Sequence, residues 1–373
     1  MKYITNCTIV TDGKEIKDSG IVIDNGKIVT VSPIKPTDCE IIDLGGKYIA
    51  PGFIELHCHG GNGSELIDGT DEAFEAVCRF HESHGTAVFY PTLSATSNDK
   101  IIAFLEALKR NKDKYTMEIP GAHLEGPYLN PEMCGAQDTV VIRYPDEAEY
   151  IDIIEKYGDI IARWSYAPER DEGAKFAHYL KEHGILSSTA HSSAEYSHMT
   201  EALAEGNKLV THLYSCTSTV TRHGGFRHLG VIETAYLCDD IFVEAIADGC
   251  HLPPDLLRMI VKIKGTDRVC LITDAIRFAG IGEGSVGGNV PYLIEDGVAK
   301  LLDRSAFAGS IATSDVLLKR TVAAGIPMPE VVKMMTQTPA NVMGLTSKGR
   351  ISTGFDALFT VFDEEYNASV LKL

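Results

Sequence analysis

Several features are missing or scarce in this 373-residue chain, and each excludes a class of protein. No uninterrupted apolar stretch reaches about 18 residues, so no membrane-spanning helix is expected. Met1 to Val10 carries one lysine and no apolar run long enough for a signal-peptide core, which points to the cytoplasm. The nine cysteines (Cys7, Cys39, Cys58, Cys78, Cys134, Cys216, Cys238, Cys250 and Cys270) form no CxxC pair. An odd count without paired spacing argues for reduced thiols, against both a disulfide framework and a thiolate zinc site. Positive charge is scarce: 34 Lys and Arg stand against 52 Asp and Glu, a formal net charge of −18. That excess disfavours nucleic acid or an anionic membrane surface as a partner, and it obliges any anionic substrate to find a local basic pocket. No low-complexity segment and no repeat of 20–50 residues is evident.

What is present fits a globular domain with a sizeable core, since 44% of residues are hydrophobic and 23% charged. The length suits one barrel of about 250 residues or more with a smaller appended module. Residues 1–50 read as short strands with turns at Asp12-Gly13 and Asn25-Gly26, and Ala357–Phe362 near the other end is again apolar and β-prone. Both ends are therefore β, and their meeting would make a small β-sandwich module from residues 1–50 and 346–373. Between them eight strand-like runs recur: Tyr48–Leu56, Thr86–Leu93, Met117–Leu124, Ile161–Ala167, Ile185–Ala190, Lys208–Leu213, Ile241–Ile246 and Val269–Thr273. Helical patterns such as Asp71–His84, Asp99–Asn111, Glu172–His183 and Pro254–Lys264 fill most gaps. Eightfold β/α alternation predicts an α/β protein with a closed parallel (β/α)8 TIM-type barrel over residues 51–345. The competing open doubly wound sheet lacks a dinucleotide fingerprint after its first strand.

In such a barrel, catalytic groups gather at the C-terminal ends of the strands. Those ends carry His57-Cys58-His59, Glu125, His191, His212, Asp248 with His251, and Asp274. Residues i and i+2 on a strand point to one face, so His57 and His59 project together and can grip one metal, while Cys58 points to the core. Gly60, Gly61 and Gly63 follow, a loop able to approach a ligand closely. Glu125, in a Gly-Pro-flanked turn, could bridge two metals or serve as general base. His191 alone reads equally as a capping-region histidine, and His212 alone as a hydrogen-bonded core histidine; as consecutive strand ends they read as ligands. An acid at Asp274, after a buried-looking run, needs a metal, histidine or proton partner. Beside a metal that lowers the pKa of water to about 7, it can act as general base and then return the proton to a leaving nitrogen.

These residues resemble the N-acetylglucosamine-6-phosphate deacetylases of the amidohydrolase superfamily. The resemblance spans nearly the whole chain: Ala50-Pro51-Gly52-Phe53-Ile54-Glu55, His84-Gly85-Thr86, Pro91-Thr92-Leu93, the Glu125 turn, His191, Thr211-His212-Leu213-Tyr214, Ala247-Asp248-Gly249-Cys250-His251, Thr273-Asp274-Ala275, Ala308-Gly309-Ser310 and Thr338-Pro339-Ala340-Asn341. It implies Glu125, His191 and His212 as ligands of one divalent metal and Asp274 as the acid/base residue. Because the His-x-His is kept, it further implies a second metal held by His57, His59 and Asp274, with Glu125 bridging. Imidazole-rich ligation favours zinc or iron.

The substrate side departs from the family. Its Gly-Ala-His segment reads Gly135-Ala136-Gln137 here, its Asn-Ala pair reads Ser215-Cys216, and its basic phosphate contact is replaced by Thr221-Arg222-His223-Gly224-Gly225-Phe226-Arg227-His228. Arg222, His223 and Arg227 remain the expected phosphate contacts, arginine being suited to bidentate contact. The resemblance also implies substrate contacts from His251, Phe307, Ala308 and Gly309, and a homodimer. The implied substrate is a small amino-sugar phosphate, N-acetylglucosamine-6-phosphate or a relative such as N-acetylgalactosamine-6-phosphate. Cyclic amide or imide hydrolysis is the alternative within the superfamily, but dihydroorotase-like barrels carry a metal-bridging lysine on strand four, and Ile161–Ala167 has none. Purine deamination would favour a different context at strands five and six, and a metal-free binding barrel fits poorly with every ligand position filled.

Overall fold

The structure, a computed structural model, describes residues 1–282, 284, 286–287 and 292–373. Eight parallel strands form one sheet, each paired with the next in chain order. They are β1 (Phe53–Cys58), β2 (Thr86–Leu93), β3 (Ala122–Glu125), β4 (Ile161–Tyr166), β5 (Leu186–Thr189), β6 (Leu209–Val210), β7 (Phe242–Ile246) and β8 (Val269–Ile272). Seven of the eight expected runs contain the corresponding strand or most of it, and the first divides. β2 is buried along all eight residues, as expected of a strand covered on both faces. The seam between β8 and β1 is closed by the Asp274 N–H donating to the His57 carbonyl at 2.9 Å and by a parallel bridge between Cys58 and Ala275. The Glu55 carboxylate reinforces that seam, accepting from the His57 and Thr273 N–H groups at 2.9 and 3.0 Å.

A helix follows each strand: α1 (Asp71–Ser83), α2 (Asn98–Asn111), α3 (Glu147–Tyr157), α4 (Lys175–Glu182), α5 (Tyr196–Ala204), α6 (Val231–Leu237), α7 (Pro254–Lys264) and α8 (Ser314–Ala323). Local chemistry sets their ends. The Thr70 side chain accepts from the Ala73 N–H at the start of α1, and Asp146 accepts from Glu149 N–H at the start of α3. α7 starts on Pro254 and stops at Gly265, whose φ of 72° suits glycine. Two further helices, α9 (Met328–Met335) and α10 (Gln337–Val342), end the barrel. One buried apolar cluster joins Ile54, Val88, Leu209, Phe242 and Cys270 of the strands to Ala340 and Val342 of α10. No helix among the described residues is long and apolar enough to cross a membrane.

The two chain ends build two further sheets. Lys27–Ser32, Gly20–Asp24, Lys2–Thr5 and Glu40–Asp43 form a four-stranded sheet in that order. Ala368–Val370, Phe359–Phe362, Tyr48–Pro51, Thr8–Thr11 and Lys14–Ile16 form a five-stranded one. Ile4, Ile21 and Ile28 of the first pack with Ile9, Ile49 and Phe359 of the second, the buried layer of a sandwich. Asn25-Gly26 and Asp12-Gly13 are hairpin turns with positive φ at both residues, as their sequences predict. The first expected run, Tyr48–Leu56, divides at Gly52: its N–H donates to the Leu358 carbonyl at 2.9 Å, and a Cβ there would lie 2.5 Å from that of Ala87. A small sheet of Val286–Gly287, Tyr292–Glu295 and Val298–Leu301 after β8 has no counterpart in the sequence reading.

Candidate metal centre and active site

The strand-end histidines and carboxylates converge on one point. His57 and His59 bring their Nε2 atoms within 3.1 Å of each other. Glu125, at the end of β3, lies between two groups: its oxygens are 3.6 Å from His57 Nε2 and 3.3 Å from His59 Nε2 on one side. On the other side its Oε1 is 3.2 Å from His191 Nε2 and 2.8 Å from His212 Nε2. Asp274 Oδ1 is 3.5 Å from His57 Nε2 and 3.3 Å from His59 Nε2. His57–His59–Glu125 and Glu125–His191–His212 are thus two buried triads sharing a carboxylate, each compact enough to hold a metal ion. The donors are imidazole nitrogens and carboxylate oxygens, which suit zinc or iron. As expected, Cys58 turns to the core, its Sγ 3.1 Å from His81 Nε2.

The outer nitrogens explain why the Nε2 atoms face inward. His57 Nδ1 meets Glu244 Oε2 at 3.3 Å, His59 Nδ1 meets Ser94 Oγ at 3.0 Å, and His191 Nδ1 meets the Met133 carbonyl at 2.8 Å. A hydrogen bond at one ring nitrogen fixes which nitrogen is left as ligand. The backbone is bent to the same end. His191, His212 and Asp274 have φ of 44°, 29° and 48°, the left-handed region that non-glycine residues avoid. Strain of this kind, about 1–3 kcal/mol per residue, persists where the surroundings hold it. At Asp274 the hold is its N–H on the His57 carbonyl and its own carbonyl accepting from the Ser310 N–H at 2.8 Å. Gly309, φ 78°, sits against that carbonyl, and a Cβ there would approach it to 2.9 Å.

Electrostatics follow the geometry. Burial pulls His57 and His59 down, but Glu125 and Asp274 more than offset it, so without cations His57 is pushed up to about 10 and His59 to about 9. Burial pushes Glu125 and Asp274 up, yet His57 and the other imidazoles hold both below the usual carboxylate range. The centre therefore collects protons in the positions a metal would take.

Above it lies a cavity of about 510 Å³ lined by His59, Glu125, His191, His212 and Asp274 at its base and by Ala136, Gln137, Ser215, Cys216, His251, Phe307, Ala308 and Gly309 around it. Gln137 Nε2 donates to Glu125 Oε2 at 2.7 Å. The His251 ring is held by Asp248, Nδ1 to Oδ2 at 2.7 Å, and lies edge-on to Phe307 with centroids 4.9 Å apart. Arg222, His223 and Arg227 are not brought to this cavity within one chain. They stand on an exposed hairpin, Thr221–His223 paired with Phe226–His228, where His223 Nε2 meets Glu195 at 2.6 Å. Glu195, His223 and His228 form a further three-donor group there, explained by ion pairing to Glu195.

Three charged residues near the centre received no role in the sequence reading. Glu244 on β7 and Arg163 on β4 form a buried ion pair beneath His57, and Glu55 braces the seam. Their signal is a charged residue inside a run otherwise reading as buried strand. Burial drives Glu55 up to about 8, whereas at Glu244 the charges of Arg163 and His57 outweigh burial and bring it to about 2. Tyr292, from the unexpected small sheet, adds to the cavity wall.

Residues 48–372 match the model of the amidohydrolase family, and the chain belongs to that family. Within it, the similarity to N-acetylglucosamine-6-phosphate deacetylases is nearly full-length. The enzyme of that name from Lysinibacillus sphaericus is 30% identical over 97% of this chain and 93% of its own, and the one from Homo sapiens 28% over 96% and 91%. A crystal structure of the deacetylase from Pasteurella multocida superposes with a TM-score of 0.91 at 26% identity, covering 98% of this chain and 96% of that one. A variant of the Mycobacterium smegmatis enzyme in complex with N-acetyl-D-glucosamine-6-phosphate superposes with a TM-score of 0.90 at 26% identity, covering 100% and 97%.

Proposed function

We propose that this protein is a metal-dependent amide hydrolase that converts N-acetylglucosamine-6-phosphate and water to glucosamine-6-phosphate and acetate. The observation that carries the reading is the meeting of four imidazoles and two carboxylates, from five strand ends, at the base of one cavity. Two ring nitrogens 3.1 Å apart, each also facing carboxylates, are what a cation site requires. In this reading Glu125, His191 and His212 would hold one divalent metal and His57, His59 and Asp274 a second, with Glu125 able to serve both, and the donor set suits zinc or iron. Bound there, such ions lower the pKa of water and polarise a carbonyl.

The chain's own groups supply the rest. Asp274, ionised at neutral pH, accepts the proton as water oxygen bonds to the acetyl carbon, and returns it to the sugar nitrogen as the C–N bond breaks. His251, steadied by Asp248, turns its remaining ring nitrogen to the substrate. Ala136, Gln137, Ser215, Cys216, Phe307, Ala308 and Gly309 form the sugar pocket. Arg222, His223 and Arg227 serve the phosphate of a neighbouring copy in a homodimer, since within one chain they lie outside the cavity. We further assign residues 51–345 to the catalytic barrel and residues 1–50 with 346–373 to the β-sandwich module. The location is the cytoplasm, and the partner a small molecule, not nucleic acid or membrane.

The test is acetate release from N-acetylglucosamine-6-phosphate, N-acetylgalactosamine-6-phosphate and their unphosphorylated forms, with metal content measured on the same sample. Release from the first, abolished by chelation, is expected. Metal-replete protein that releases acetate from none of them ends the reading. Arg222→Ala and Arg227→Ala should raise KM for phosphorylated sugars selectively, and equal losses on both classes would remove the phosphate assignment.

A further inference from the structure

We propose that Arg163 and Glu244 are positioning residues, a clamp across the barrel that sets the His57 ring and so governs how tightly the His57–His59 half of the centre holds its cation. The inference rests on the metal-centre reading above. Both side chains are fully buried, Arg163 on β4 and Glu244 on β7. Arg163 Nη1 pairs with the Glu244 carboxylate and reaches the Leu56 carbonyl at 3.4 Å. Its Nε donates to Ser188 Oγ at 2.9 Å and its Nη2 to Thr211 Oγ1 at 2.7 Å. Leu56 and Thr211 are the residues directly before His57 and His212. The other Glu244 oxygen, Oε2, accepts from the His212 N–H at 3.3 Å and faces His57 Nδ1 at 3.3 Å. One ion pair thus touches the supports of a ligand in each triad.

A buried ion pair is weak as a device for stability, because desolvation offsets most of the attraction and apolar residues of equal volume often do as well. Its place beneath the centre calls for another role. Among the described residues, His57 alone of the four histidines has a charged partner at its outer nitrogen; His59 and His191 have a hydroxyl and a carbonyl there, and His212 Nδ1 has no partner. A carboxylate at Nδ1 keeps the proton on that nitrogen, aims the Nε2 lone pair at the Glu125 and Asp274 side, and makes the imidazole a stronger donor. Arg163, with partners at all three nitrogens, keeps Glu244 from rotating away.

The experiment compares Glu244→Gln, which keeps the shape and removes the charge, with Glu55→Gln. Glu55 is equally buried beside His57, but its carboxylate engages the His57 and Thr273 backbone N–H groups and the Thr273 side chain, and among the described residues it meets no histidine ring nitrogen at hydrogen-bond distance. Metal equivalents per chain, chelator-competition affinities and the absorption spectrum of the cobalt-substituted protein are read for each, beside thermal melting. Glu244→Gln should weaken one of the two cations by about 10–100-fold and remove one cobalt environment. Glu55→Gln should shift the melting midpoint and leave both affinities unchanged. A Glu244→Gln titration that superposes on the wild type overturns the proposal, as does equal weakening by Glu55→Gln. If Glu244→Gln does not fold, the paired Arg163→Met/Glu244→Leu variant removes both charges together and is read the same way. A wild-type protein that binds no cation would sink the metal-centre reading itself, and the clamp with it.

Discussion

Replacing Asp274 by asparagine removes a proton acceptor and leaves the surrounding frame in place. Asparagine matches aspartate in shape and tolerates the left-handed conformation, φ 48°, that this position requires. The ties that hold the residue, to the His57 carbonyl at 2.9 Å and from the Ser310 N–H at 2.8 Å, are backbone ones and survive. What disappears is the negative charge 3.5 and 3.3 Å from His57 and His59 and the group able to carry a proton from water to the leaving nitrogen. Positioned acid–base catalysis contributes about 10²–10⁴-fold, roughly 3–5 kcal/mol of barrier. The loss should fall on kcat, with KM moved far less, because the proton is transferred only on the way to the transition state. Acetate release is measured at saturating metal, with bound metal assayed on the same sample and folding checked by circular dichroism. A folded, metal-loaded Asp274→Asn variant with kcat within about threefold of the wild type would refute the assignment, since that deficit is far below what a lost proton shuttle costs.

Two further outcomes follow from the same geometry. His191→Ala or His212→Ala removes a ring from the Glu125 triad, and metal content and activity should fall together; a variant keeping its full metal complement would show that the ring is not a ligand. The centre should also couple metal to protons. In the metal-free protein Glu125 and Asp274 raise His57 to about 10 and His59 to about 9, above the ordinary 6.5. For raised values the stabilisation is complete below about pH 6.5 and is lost as pH climbs through 9 to 10, so the metal-free protein should melt lower at pH 10 than at pH 7. Loading at pH 8 should then release protons from His57, His59 and His191, all raised above the ordinary value, read as a binding heat that depends on buffer ionisation enthalpy. A heat independent of buffer would contradict the protonated rings.

The convergence of these imidazoles and carboxylates was legible because it rests on short-range geometry. His57 and His59 are two apart on a strand, and Glu125, His191, His212 and Asp274 each lie at or beside the end of a run, so the barrel topology alone sends them to one rim. The hairpin turns at Asp12-Gly13 and Asn25-Gly26 were legible for a similar reason, since two residues decide each. The division at Gly52 was not, because it depends on Ala87 and Leu358, far away in the chain, closing on that one glycine.

Chain order and residue type, then, determined that this protein is an alternating β/α barrel with a rim of imidazoles and carboxylates, because periodicity and strand-end position are properties of neighbouring residues. Only the tertiary structure decided what the isolated charges mean. Arg163 and Glu244, unassigned charges inside apolar strand runs, are neutralised by each other across the barrel, with Glu244 beside His57. Arg222 and Arg227, the expected phosphate contacts, face outward on a hairpin, away from their own chain's cavity. A charge acts through its distance to other charges, and that distance is set by packing between elements remote in the sequence.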